Sequence, residues 1–178
     1  MHPSVYARSQ PDKAAYIMAG SGTTVSYGQL EERSRRCAQL LRGLGLVVGD
    51  TIAICMDNNP RYFELCWAAQ RSGLYYTCVS NRLTAPEVEY IVRDSGARVL
   101  FLSVSQRAIA AELAQSLDGV ERFSVDGSIN GYLDYESTRD RFPAEPVADE
   151  TAGADMLYSS GTTGRPKGIR VALSGLAI

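Results

Sequence analysis

A chain of 178 residues with 45% apolar and 21% charged residues has the composition of a globular domain and excludes a disordered tail. Eighteen basic against twenty acidic residues give a net charge of −2 with no long run of either sign, which argues against a nucleic-acid or anionic-membrane partner. The opening "MHPSVYARSQPDKAAY" lacks the basic start and apolar stretch of a signal peptide, and no apolar run reaches the roughly 20 residues of a membrane span, so a cytoplasmic protein is expected.

Taken in chain order, "AAYIMA" and "TTVSY" are short β-compatible runs around "GSG", the pattern of a small hairpin near the N-terminus. Ser26 followed by Gln29 forms a capping-box pattern, and Leu30, Cys37, Leu41 and Leu44 recur at helical spacing, which predicts a helix over about 27–43. "TIAICM" carries no polar alternation and reads as a strand covered on both faces. The alternation then repeats: a helix over 60–72 opened by Pro60, the strand "LYYTCVS", and a helix capped by Thr84 with Glu87 three residues on and Gly96 beyond its end. "RVLFLSV", a helix over 105–117 and "ERFSVDG" complete the series. Short apolar strands separated by helices of a dozen residues imply an α/β fold: a mostly parallel sheet clad by helices, with the hairpin at its N-terminal side.

From 127 to 152 the composition turns to Gly, Asp, Glu and Pro, which predicts a surface linker with at most a short helix around 132–141. "ADMLYSS" then reads as a last strand running into "YSSGTTGRPKG", which sets that stretch at the carboxyl end of a strand, where open α/β sheets bind ligands. Cys37, Cys55, Cys66 and Cys78 fit no zinc or redox spacing and are read as core filling. Tyr62, Phe63, Trp67, Tyr75 and Tyr76 are read likewise as packing residues. The single histidine, His2, sits in a terminus expected to fray, which leaves no histidine for general-base chemistry.

The stretch from Tyr158 to Gly168 has the parts needed to hold phosphate. Gly161, Gly164 and Gly168 let backbone N–H groups approach an anion, Ser159, Ser160, Thr162 and Thr163 offer hydroxyls, and Lys167 offers a compact cation. The Walker A pattern does not fit: Pro166 stands where its second glycine belongs and Gly168 where its Ser or Thr belongs. Pro and Gly on either side of Lys167 predict an irregular loop rather than a helix start. Tyr158 is read as packing at the strand end and Arg165 as a solvated charge.

"YSSGTTGRPKG" resembles the phosphate-loop signature of the adenylate-forming, AMP-binding enzymes, among them fatty acyl-CoA synthetases (long-chain fatty-acid CoA ligases). The region from Val25 to Ser103 is similar to the amino-terminal sheet region of that family. The resemblance implies an ATP-dependent acid–thiol ligase in which a carboxylic acid, of fatty type, attacks the α-phosphate of ATP to give an acyl-adenylate, and coenzyme A takes the acyl group. It implies ATP and coenzyme A as substrates, Mg2+ with the nucleotide, small-molecule partners, and phosphate contacts from Ser159, Ser160, Gly161, Thr162, Thr163, Gly164 and Lys167. In that family the adenine pocket, the magnesium carboxylate, the ribose-binding acid and a second lysine lie beyond the phosphate loop. The resemblance therefore makes residues 1–178 an amino-terminal portion of the large domain, with the rest of that domain and the carboxy-terminal domain absent. On that reading the piece holds no catalytic or metal-binding residue, is inactive alone, and has an exposed sheet edge open to self-association. A self-contained phosphate-binding module and a non-catalytic interaction domain with a vestigial loop remain as alternatives.

Overall fold

The computed structural model describes residues 2–159 and 165–178. Its centre is a six-stranded sheet in which every pairing is parallel: β3 (Thr51–Cys55), β4 (Tyr75–Val79), β5 (Ala97–Ser103), β6 (Glu121–Val125), β7 (Leu133–Asp134) and β8 (Ala154–Asp155), in the order β7-β6-β5-β3-β4-β8. Strand addition goes outward from β3 to β4, then reverses to β5 on the other side of β3 and continues to β6 and β7. That is a doubly wound arrangement, and its helices accordingly lie on both faces.

Side-chain alternation along the central strands builds the two cores. Ile52, Ile54, Val99, Phe101, Phe123 and Val125 face a cluster completed by α2 (Tyr27–Gly43), α3 (Tyr62–Arg71) and Tyr135. The alternate residues Ala53, Cys55, Leu100 and Leu102 face α4 (Ala85–Asp94) and α5 (Arg107–Ser116). All five residues of β3 are buried, as expected of a strand without polar alternation. Both capping boxes form: the Gln29 N–H donates to Ser26 Oγ and the Ser26 N–H to Gln29 Oε1, and the Thr84 N–H donates to Glu87 Oε2 at 2.8 Å.

The predicted hairpin is β1 (Ala14–Ile17) against β2 (Thr24–Ser26), antiparallel, with a turn over 18–23 closed by Met18 N to Thr23 O and by Gly22 at φ 71°. The N-terminus does not fray as expected. A short helix α1 (Ser4–Ser9) stacks Tyr6 on Tyr27 at 5.0 Å, and His2 lies edge-on to Trp67 at 5.1 Å. Burial, helped by the Arg71 charge, pushes the His2 imidazole down to about 4, which keeps it neutral. The aromatics read as packing residues divide: Tyr75 is buried and Tyr62 and Tyr76 pack on the core, while Phe63 is 50% exposed against Tyr16 of the hairpin.

The segment 127–152 departs most from its reading as a surface linker. It contributes β7, paired in register with β6, and α6 (Tyr135–Arg139), whose Tyr135 is fully buried; Val147 also enters the core. Its polar composition is accommodated because Arg139 is neutralised inside by Glu64 of α3 at 2.6 Å. Among the described residues no helix is long and apolar enough to cross a membrane.

Candidate functional site

All six strands of the sheet run the same way, so their carboxyl ends share one rim. β8 runs parallel to β4 but stops beside its first residues, Tyr75 and Tyr76, where the Met156 N–H donates to Tyr76 O at 2.9 Å, and the chain then leaves the sheet. "ADMLYSS" is therefore two strands rather than one. β9 (Leu157–Ser159) pairs antiparallel with β10 (Lys167–Ile169) in a hairpin of its own. The register sets Lys167 opposite Ser159, Gly168 opposite Tyr158 and Ile169 opposite Leu157.

Of the sequence-predicted phosphate residues, Ser159 and Lys167 are thus brought together across the β9–β10 pair, both exposed. Ser160, Gly161, Thr162, Thr163 and Gly164 lie outside the described residues. Lys167 and Gly168 are in a strand rather than in the irregular loop that the neighbouring proline suggested; Pro166 sits just before the strand, where its missing N–H removes no ladder bond. Gly168 also has a specific packing reason. A Cβ there would stand 2.5 Å from Met156 Cε and 3.0 Å from the ring of Tyr158, so only glycine lets that ring lie across the strand pair.

Helix α4 holds both arms of the hairpin. The Tyr158 hydroxyl donates to Asp94 Oδ2 at 2.7 Å, and the Tyr90 hydroxyl donates to the Pro166 carbonyl at 3.0 Å. Burial and the Asp94 carboxylate raise the Tyr158 pKa, which keeps the phenol a donor. The Arg165 guanidinium, read from sequence as a solvated charge, is exposed but lies 5.3 Å over the Tyr90 ring. A cavity of about 440 Å³ opens between the first turns of α4 and Arg165–Pro166, lined by Leu83, Pro86, Glu87 and Tyr90. On the opposite side, the Tyr75 hydroxyl donates to Val171 O at 2.5 Å and the Arg170 guanidinium stacks 4.2 Å over the same ring.

Tyr90 and Asp94 are the residues sequence reasoning missed. Their one available signal was the four-residue separation that puts both on one face of α4. The arrangement is a fixed frame presenting a hydroxyl and an ammonium from adjacent positions, suited to binding an anion by positioning and charge. Among the described residues no group of three or more His, Cys, Asp and Glu side chains converges on a point where a metal ion could be held.

The sequence profile of a family described as "AMP-binding enzyme" matches residues 4–176. A fatty acid–[acyl-carrier-protein] ligase, ScoC, of Streptomyces coeruleorubidus is 35% identical over 175 residues, which cover 95% of this chain and 32% of that protein. The long-chain-fatty-acid–CoA ligase FadD13 of Mycobacterium tuberculosis is 29% identical over 169 residues, covering 92% and 32%. Among solved structures, an anthranilate CoA ligase, AuaEII, in complex with anthranoyl-AMP superimposes with a TM-score of 0.78 over 94% of this chain and 33% of its own, at 23% identity, a likeness of fold. The chain spans about a third of the length of these relatives.

Proposed function

The chain belongs to the AMP-binding enzyme family, and from that premise we propose that it forms the phosphate-binding wall of an ATP-dependent acid–thiol ligase. The reaction is activation of a carboxylic acid, of fatty-acyl type, as an acyl-adenylate with loss of pyrophosphate, followed by transfer to coenzyme A. The observation that carries the reading is the β9–β10 register, which sets Ser159 against Lys167 in the hairpin that follows β8 of the parallel sheet. Ser160 to Gly164 lie between them in the sequence.

In that role Ser159 and the loop hydroxyls orient the β- and γ-phosphates, and Lys167 offsets the charge that gathers on pyrophosphate as it departs. No covalent bond to the chain is needed. The fatty-acyl choice is supported by the names of the two curated relatives above, one a CoA ligase and the other a carrier-protein ligase. Taken alone, the 178 residues supply one wall of the site and do not complete adenylation.

Pyrophosphate titrated into the chain and followed by backbone amide shifts tests the wall. The expected result is shifts confined to 158–168, with Lys167→Ala weakening binding about tenfold, the size of one charge-assisted hydrogen bond. Shifts elsewhere with an indifferent Lys167→Ala would remove the assignment. ATP–pyrophosphate exchange in the presence of fatty acids is expected to stay at background, and robust exchange would show that the chain is sufficient by itself.

A further inference from the structure

The chain has one histidine and one tryptophan, and the fold sets them in contact: the His2 ring meets the Trp67 ring of α3 edge-on at 5.1 Å. A hydrogen bond fixes which nitrogen carries the proton. The Ser4 N–H, first of α1, donates to His2 Nδ1 at 3.2 Å, so Nδ1 is an acceptor and the single ring proton of the neutral form sits on Nε2. That Nε2 is buried and has no hydrogen-bond partner among the described residues. An imidazolium would carry a donor on both nitrogens. One would face the Ser4 N–H donor to donor, and the other would put charge where no acceptor receives it.

The charges around the ring act in the same direction. Arg71 stands one turn beyond Trp67 on the same face of α3, its side chain fully buried. Glu31 of α2 meets Arg71 at 2.6 Å and is shared with Arg35 at 2.9 Å, while Glu150 lies 3.6 Å from Arg71 on the other side. Of the charged groups facing His2, Arg71, the amino group of the chain and Arg35 oppose an imidazolium and Glu31 favours it, with burial opposing it most. Meanwhile α1 is lightly held. It contributes no buried residue, and its Tyr6 ring stacks on Tyr27 with Lys13 Nζ 5.8 Å from the Tyr6 centroid. A cavity of about 250 Å³ lies against it, walled by Pro3 and Tyr6 on one side and by Tyr16, Tyr27, Phe63 and Trp67 on the other.

We propose that His2 is a proton-operated latch: its neutral ring holds α1 against Trp67, and protonation at Nδ1 releases the segment and opens the aromatic cavity that it walls. The sign follows from linkage. The docked imidazole is held down to about 4 against an ordinary 6.5, so between those values the released segment binds a proton that the docked one refuses. Docking is constant above 6.5 and weakens as pH falls through the window, tenfold per pH unit and about 300-fold in all. A docking constant of about 30, in the range of local opening, is reduced to one near pH 5.

The test follows the emission of Trp67, the sole tryptophan, in the whole chain from about pH 7.5 down to about 4.5. A reversible red shift with its midpoint near pH 5 is expected as the indole loses its cover, and cross-relaxation between the Tyr6 and Tyr27 rings should vanish over the same range. Methyl signals of Ile52 and Leu100, one in each core, should stay in place and so separate release from unfolding. His2→Phe keeps a ring on Trp67 with nothing to titrate, and its emission is expected to stay constant. Glu31 and Glu150 are unchanged in that variant, so a step that survives the substitution belongs to them and overturns the proposal. A flat profile in the parent, or a red shift that comes only with loss of the core methyl signals, overturns it equally, and both are read without any variant.

Discussion

Glu64 is fully buried on α3, and its Oε1 accepts both from the Tyr135 hydroxyl at 2.8 Å and from Arg139 Nη1 at 2.6 Å, the two donors that α6 carries into the core. Burial raises the Glu64 pKa and Arg139 opposes it. The pair is therefore worth little against a hydrophobic replacement, but breaking it leaves a buried carboxylate without its counter-charge. Arg139→Ala is expected to cost about 3–5 kcal/mol near neutral pH, and Tyr135→Phe about 1 kcal/mol, by urea denaturation. The sign with pH follows. Without Arg139 the folded-state pKa of Glu64 rises further, the native state then holds a proton that the unfolded state has lost, and the variant's stability falls as pH rises from 4.5 through that raised pKa. The deficit of Arg139→Ala should accordingly be smaller at pH 5 than at pH 8. An equal deficit at both would mean that the contribution of Arg139 is packing and not charge.

At the scale of elements, what could be read from the sequence was what local rules determine. Ser26 with Gln29 and Thr84 with Glu87 marked two helix starts because the cap and its partner lie within one turn. The uninterrupted apolar run of β3 marked a strand covered on both faces. What could not be read depends on partners distant in sequence. The short helix expected around 132–141 is α6, but its burial could not be read because the Glu64 that satisfies Arg139 is 75 residues away, and a two-residue strand such as β7 leaves almost no periodic trace. The break between β8 and β9 was invisible for the same reason, since alternation does not say which neighbour a strand takes. At the candidate site, the sequence pointed to Ser159 and Lys167, which the β9–β10 register sets opposite each other, but not to Tyr90 and Asp94, which hold the hairpin. One contact governs where the chain turns up to that hairpin. The Gly153 N–H donates to Gln70 O at 2.7 Å, and a Cβ at Gly153 would stand 2.2 Å from Leu74 O and 2.7 Å from Ala69 O, both backbone atoms without room to yield. Gly153→Ala is thus expected either to cost about 3 kcal/mol or to release β8 from β4. Hydrogen exchange distinguishes it from a neutral change: the Ala154 and Met156 amides, bonded to Leu74 and Tyr76, should lose protection first.

For the molecule as a whole, the doubly wound order buries both faces of the sheet and ends it in β7 and β8, edge strands of two residues each, too short to template another strand. A group of exposed apolar side chains lies on the hairpin that follows the sheet. Leu157 and Ile169 are paired in register on the phosphate hairpin and 58% and 55% exposed, and Val171 and Leu176 of the following segment are 52% and 68% exposed. Four large apolar side chains on one hairpin and its extension amount to the kind of patch that buries itself against a second copy, and a twofold contact would set each Leu157–Ile169 pair near its counterpart. We expect the chain to self-associate through this hairpin rather than through the sheet edges. Sedimentation velocity over a range of loading concentrations should show a monomer–dimer shift, and Leu157→Lys with Ile169→Lys should move it toward monomer while leaving the urea midpoint of the dilute, monomeric chain unchanged, because neither side chain belongs to either core cluster. A single monomeric species at every concentration, or a dimer indifferent to both lysines, would remove the hairpin as the contact.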